Sequence, residues 1–273
     1  MSPASTTKTS RIRLDQFLVE RGLVESRSRA QALILAGKVR VGEGDAARHD
    51  RKSGDLIDVT ATVAVVEPDP YVSRGGHKLA AALDAFEIVP RGLVCLDVGA
   101  STGGFTDVLL QRGATRVYAL DVGRGQLADL LRRDPRVVSM ERTNARTLTA
   151  ATLPEPISLA VIDASFISLA LILGPVAATL APRGQIVPLV KPQFEAGRGR
   201  TDHGVVREPG IHREVLERTV TTAQRLGFGT RAVLVSPITG PEGNREFLLH
   251  LVAGPGCAEI GDRIAELTTG SSA

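Results

Sequence analysis

The chain has 273 residues, with 43% hydrophobic and 23% charged positions. It is long enough for one large domain or two and too ordinary in composition to be disordered, collagenous or coiled-coil. Two cysteines, Cys95 and Cys257, exclude a disulfide framework and a zinc cage and place the protein in a reducing, cytoplasmic compartment, while 3% aromatics without Trp leave any nucleic-acid binding to charge and shape. The net charge of +3 sits in the first sixty residues, which hold eleven Lys or Arg against eight acids; the rest of the chain balances.

Residues 1–10 lack an apolar core and read as a polar lead rather than an export signal. Residues 12 to 41 carry two short amphipathic patterns, Ile12-Leu14-Phe17-Leu18 and Ala30-Leu33-Ile34, with Gly22 and Gly37 where helix C-caps belong and Ser26 placed to cap the second helix. Lys38-Val39-Arg40-Val41 alternates like a strand, and Asp55 to Val59 reads as its partner. A domain over 11–62 follows, with α+β character. It resembles the S4-like RNA-binding module shared by ribosomal proteins, pseudouridine synthases and tyrosyl-tRNA synthetases. The matching runs are Arg13 to Leu18, Ser26 to Ile34 and Gly37 to Val41. Cations gathered on one small face, Arg13, Arg27, Arg29, Lys38 and Arg40, suit a phosphate backbone.

Prolines in Glu67-Pro68-Asp69-Pro70 make residues 63–70 an extended linker. From Tyr71 on, apolar runs alternate with helical patterns. Leu79, Ala82, Leu83 and Phe86 form one helix face. Strands are expected at 93–98, 116–120, 137–140, 159–162, 185–190, 232–235 and 246–251, and further helices around Phe105 to Leu109, over 126–132 and over 212–226. Seven strands with interleaved helices predict an α/β fold with a doubly wound, Rossmann-like parallel sheet over 71–254, and 255–273 reads as a tail. The uncharged run Ala164 to Pro182 carries Gly174 and Pro175 and reads as a buried loop and helix, not a membrane span. None of the five histidines has metal spacing, and they read as surface or loop residues. Residues 197–204 read as a basic loop, either an ordinary mobile loop or a lid.

The hydrophobic strand ending at Asp97-Val98-Gly99 runs into Ala100-Ser101-Thr102-Gly103-Gly104, which opens a helix at Phe105. Glycines allow tight backbone and close ligand approach. No Gly-Lys-Ser/Thr follows, and the acid Asp97 would repel a pyrophosphate, so a cofactor carrying cationic groups is expected: S-adenosylmethionine. Asp121, 24 residues after Asp97, suits a ribose diol, Asn144 the adenine edge, and Asp163 ends a further strand. Lys78, Asp163, Lys191 and Glu246 are far apart in sequence, yet the sheet places all four around one cleft. No metal is expected, because lysines stand where a metal site would need carboxylate or His.

Here the chain resembles the TlyA-type hemolysin and ribosomal RNA 2′-O-methyltransferase family, a branch of the FtsJ-like RNA ribose methyltransferases. The carrying motifs are Tyr71 to Leu79, Asp97 to Asp107, Asp163 to Leu169, Leu189 to Glu195 and Gly243 to Phe247, and the match runs over nearly the whole chain. The resemblance implies a catalytic tetrad of Lys78, Asp163, Lys191 and Glu246 and RNA ribose as substrate, with cytidines of both ribosomal subunits as targets. A ribose hydroxyl is a poor nucleophile at neutral pH, so Lys191 is expected to act as general base, helped by burial and by Lys78 nearby, with the two acids positioning the amines. Partners are then ribosomal RNA or assembled subunits, without stable membrane association, and the charged surface suits a monomer. Two other readings exist: a membrane-lytic protein, which needs an amphipathic or spanning segment absent from the pattern, and a non-catalytic assembly factor, which the intact tetrad opposes.

Overall fold

The structure is a computed structural model that describes residues 10–42, 48, 51–65, 69–197 and 199–269. The chain divides into two compact units, Met1–Pro70 and Tyr71–Ala273. The ends of both expected tails (1–9 and 270–273) and residues 66–68 of the expected linker lie outside the described residues.

In the first unit, β1 (Arg11–Arg13), α1 (Leu14–Glu20), α2 (Arg27–Leu35), β2 (Val39–Val41), β3 (Leu56–Asp58) and β4 (Val63–Val65) follow in order. Ser26 caps α2, its Oγ accepting from Arg29 N at 3.2 Å. Leu14, Phe17 and Leu18 of α1 meet Ala30, Leu33 and Ile34 of α2 over Val39, Val41 and Ile57, a small core of the size such a unit can build. The strand pairing differs from the expectation: β2 pairs with β4, and β3 with β1, all antiparallel. Val63-Ala64-Val65 therefore belongs to this unit rather than to the linker. Its apolar pattern is too short to stand out, and pairing is a long-range choice that local alternation does not encode.

The second unit runs α3 (Gly75–Ala85), β5 (Val94–Val98), α4 (Gly104–Gln111), β6 (Arg116–Leu120), α5 (Asp129–Arg132), β7 (Val137–Met140), β8 (Ile157–Ile162), α6 (Leu173–Ala177), β9 (Leu180–Val190), α7 (Pro192–Glu195), α8 (Pro209–Arg225), β10 (Phe228–Val235), β11 (Phe247–Ala253) and α9 (Ile260–Thr268). The seven strands form one sheet in the order β10-β11-β9-β8-β5-β6-β7. β9, β8, β5, β6 and β7 are mutually parallel, and β11 is inserted antiparallel between β9 and β10. That reversal departs from the all-parallel expectation. The link 236–246 holds only a single turn, at Pro241–Gly243, and no crossover helix, so β11 must run back along β10.

Leu96, Ile162, Ile186 and Leu249 face one core with Val215 and Leu216 of α8; Cys95, Val161, Val187 and Leu248 face the other with α3 and α4. Burial on both faces explains why these strands read as continuous apolar runs. The chain order reverses between β5 and β8, so the crevice beyond their carboxyl ends is the natural ligand position. Two further differences follow. Part of the expected tail is α9, whose Ile264 is buried in the main core. His212 is buried on α8, its ring edge-on to Phe247 and its Nε2 3.0 Å from the Val206 carbonyl, not a surface histidine. The uncharged run forms a turn at Leu169–Leu171, the short α6 and the start of β9; among the described residues no helix is long and apolar enough to cross a membrane.

Candidate active site

The apolar face of α3, Leu79, Ala82 and Leu83, packs into the core and draws Lys78 in with it, to 7% exposure. Its Nζ lies 2.5 Å from Oε2 of Glu246, which is wholly buried at the start of β11. The other Glu246 oxygen has no hydrogen-bond partner and rests against Gly240, where a side chain would collide with the carboxylate. Lys191, pushed out of the apolar end of β9, is 9% exposed; its Nζ lies 2.6 Å from Oδ1 of Asp163 and donates to Ser165 Oγ at 2.9 Å. All four expected residues thus form two amine–carboxylate pairs, and burial leaves each charge dependent on its partner.

Lys78, Asp163 and Lys191 open on a cavity of about 500 Å³, with the turn Gly99–Thr102, Gly104 and Phe105 on one side and Ser73, Arg74 and Thr239 on the other. Through Gly99, Ser101, Asp163 and Ser165 it adjoins a second cavity of about 370 Å³, lined by Val98, Asp121, Asn144 and Phe166 among others. Gly99 has φ +84°, and a Cβ there would stand 2.6 Å from the Asp163 carbonyl oxygen, so only glycine lets β5 and β8 close on each other at the crevice. Gly103 sits in left-handed backbone at the start of α4, which carries no side-chain cap there.

Asp121 accepts from Ser101 N at 2.8 Å and Gly123 N at 2.7 Å; both oxygens keep lone pairs for a further donor. Asn144 Oδ1 accepts from Arg146 N and so caps a turn, leaving its amide group as donor toward the cavity. Asp97 is placed differently from the expectation. It is fully buried beneath the loop and lines neither cavity; Thr106 Oγ1 donates to its Oδ2 at 2.7 Å, and its Oδ1 has no partner. Burial first, and then the charge of Asp163, raise its proton affinity to a pKa of about 7.

Of the other lining residues, Ser73, Arg74 and Phe166 lie within the family motifs without a role assigned to them, and Ile238 and Thr239 lie outside those motifs. Arg74 donates to the Thr239 carbonyl at 3.2 Å, which joins the start of α3 to the loop before β11. Phe166 is 90% exposed at the rim, in left-handed backbone with φ +63°, its ring centroid 4.9 Å from that of Phe194. The loop read as a possible lid is tied down at Arg200, whose two guanidinium nitrogens hold Glu214 of α8 at 2.7 and 2.6 Å.

In the first unit the five expected cations separate into two groups. Arg13 donates twice to Asp15, Arg27 and Gln31 each once, all at 3.0 Å, and the wholly buried Asp15 is held well below the usual carboxylate range by the Arg13 guanidinium. Arg29, Lys38 and Arg40 have no ion-pair partner among the described residues.

Residues 71–253 match the family described as FtsJ-like methyltransferase, and residues 12–43 match the S4 domain. The chain is 48% identical to the 16S/23S rRNA (cytidine-2′-O)-methyltransferase TlyA of Mycobacterium tuberculosis, over 88% of this chain and 90% of the relative. It is 41% identical to Hemolysin A of Brachyspira hyodysenteriae, over 88% of this chain and 100% of the relative. A solved structure from Streptococcus thermophilus, described as a hemolysin, superposes with a TM-score of 0.71 at 43% identity, covering 94% of this chain and 96% of that one.

Proposed function

The chain belongs to the FtsJ-like methyltransferase family, and from that membership we propose that it methylates the 2′-hydroxyl of cytidine ribose in the RNA of both ribosomal subunits, with S-adenosylmethionine as donor. The observation that carries the reading is the pairing of two buried lysines with two carboxylates at a cavity that adjoins a second one walled by Gly99, Asp121 and Asn144.

The donor's chemistry fits these residues. The uncapped start of α4 suits its carboxylate, Asp121 its ribose diol, and Asn144 with the apolar Val98, Leu120 and Ile172 its adenine. Asp163 supplies negative charge toward its cationic end, and Asp97 adds charge from beneath the loop when ionised. When bound, S-adenosylmethionine supplies a methyl group already activated by its sulfonium.

The chain's own work is orientation and the handling of one proton. Lys191 Nζ is the group placed to take the 2′-hydroxyl proton. Asp163 and Ser165 fix the amine and receive the ammonium that results. Lys78, locked by Glu246, presents a fixed positive charge to the developing oxyanion from the far wall. Burial keeps water from the Lys78–Glu246 pair and from the Lys191 amine.

Lys191→Ala tests the assignment. Loss of a general base costs about 10²–10⁴-fold in rate, so methyl transfer measured with tritiated donor should collapse, while donor affinity by isothermal titration stays within about tenfold, or ~1.4 kcal/mol, of the parent. Unchanged turnover would remove Lys191 from the chemistry.

A further inference from the structure

A third cavity, also about 370 Å³, opens at the opposite end of the sheet from the lysine pairs, between Arg183, Gln185, Arg231 and His250 with Pro182 and Val252. No carboxylate lines it. Arg183 and Arg231 are exposed and have no hydrogen-bond or ion-pair partner among the described residues.

The site is built by the backbone. Leu248, His250 and Val252 alternate on the face of β11 turned toward α3 and α4. On β10, Thr230 pairs with Leu251 and Ala232 with His250, so Arg231 is the extra residue of a β-bulge. The bulge leaves Arg231 without a cross-strand partner beside His250, and both line the cavity. The two are close enough for Arg231 to oppose protonation of His250, after burial. The His250 ring lies flat on Phe86, with centroids 5.5 Å apart, and its Nε2 donates to Gln185 Oε1 at 2.7 Å. With that oxygen taken, Gln185 offers the cavity its amide hydrogens. The cavity thus presents the Gln185 amide hydrogens and two unpaired cations, with no carboxylate among its lining residues to oppose an anion.

We propose that Arg183 and Arg231, with the Gln185 amide, hold one backbone phosphate of the bound RNA, a contact remote from the reacting ribose. The inference rests on RNA being the substrate. His250 lies four residues along β11 from Glu246, and Gln185 six along β9 from Lys191, so the phosphate site is about 13–20 Å from the lysine pairs. That is well inside the roughly 16 base pairs a compact double-stranded-RNA module covers. α3 and Phe86, the residue that ends it, span the interval, from Lys78 on Glu246 to Phe86 on His250. Charged side chains and bulges also guard edge strands such as β10 against pairing with other chains. Such a guard needs no particular ligand, and the two roles separate by experiment.

The test uses the full chain and transcribed large-subunit ribosomal RNA, with filter binding between about 50 and 200 mM salt. Arg183→Ala combined with Arg231→Ala should weaken binding about tenfold and lower the slope of log K against log salt by about 1, with donor affinity and thermal midpoint as in the parent. Arg231→Lys should keep the slope, and Arg231→Gln alone, which should lower it, serves in place of the double variant if that one loses donor binding. Affinity and slope matching the parent would overturn the proposal and leave an edge guard. Saturable binding of inorganic phosphate by the parent, with the RNA slope untouched by the variants, would overturn it in favour of a free-anion site. A parent that binds donor but no RNA fails before any variant is compared, which identifies the substrate reading as the fault and removes this inference with it.

Discussion

A lysine at 7% exposure and a glutamate at zero coexist at Lys78 and Glu246 because each neutralises the other. Removing one partner of such a pair leaves a buried charge and costs about 3–5 kcal/mol. Asp97 is the opposite case, a buried carboxylate with no cation in contact. Its folded pKa of about 7 lies above the ordinary aspartate value of 3.8, so the folded state holds a proton that the unfolded chain gives up. The stability this contributes is full below about pH 3.8 and is lost as pH rises through about 7. The gap corresponds to about 4 kcal/mol. Asp97→Asn keeps the acceptor for Thr106 and cannot ionise, so without donor its stability advantage over the parent should grow from about 1–2 kcal/mol at pH 5 to about 4 kcal/mol at pH 8. Thermal melts across that range check this; parallel curves for the two proteins would show that Asp97 does not titrate there. The four amine and carboxylate positions were legible in the sequence because strand ends and the family motifs mark them; Ser73 and Phe166 lie in the same motifs but carry no group that marks chemistry, and Thr239 comes from a loop whose course depends on contacts distant in the chain.

Among elements, α2 shows why a basic run is not one surface. Arg27 turns back with Arg13 to a buried Asp15, and Arg29, two residues on, stays unpaired with Lys38 and Arg40. Arg27→Ala should therefore cost mainly stability, about 1–3 kcal/mol for the missing charged hydrogen bond, and leave the salt dependence of RNA binding intact. Arg29→Ala with Lys38→Ala and Arg40→Ala should instead flatten the salt slope by about 1 for each phosphate that is no longer neutralised. Filter binding with denaturant titration distinguishes the two, and identical slopes for the triple variant and the parent would remove this face from RNA recognition. The helices and parallel strands were readable from periodicity. The pairing of β2 with β4, the early start of β9 at Leu180 and the reversal of β11 were not, because each is fixed by a neighbour far away in sequence.

For the whole molecule, an S4-like unit and an FtsJ-like unit divide the labour: the first presents the unpaired cations Arg29, Lys38 and Arg40, and the second holds the paired lysines beside the crevice at the sheet's reversal point. The central claim is that methyl groups reach a ribose oxygen. Purified protein is incubated with ribosomal subunits and isotopically labelled donor, the RNA is digested to nucleosides, and the products are separated by mass spectrometry. Labelled 2′-O-methylcytidine should form with the parent and disappear with Lys191→Ala. Label on a base, or no label in RNA while donor still binds, would contradict the account.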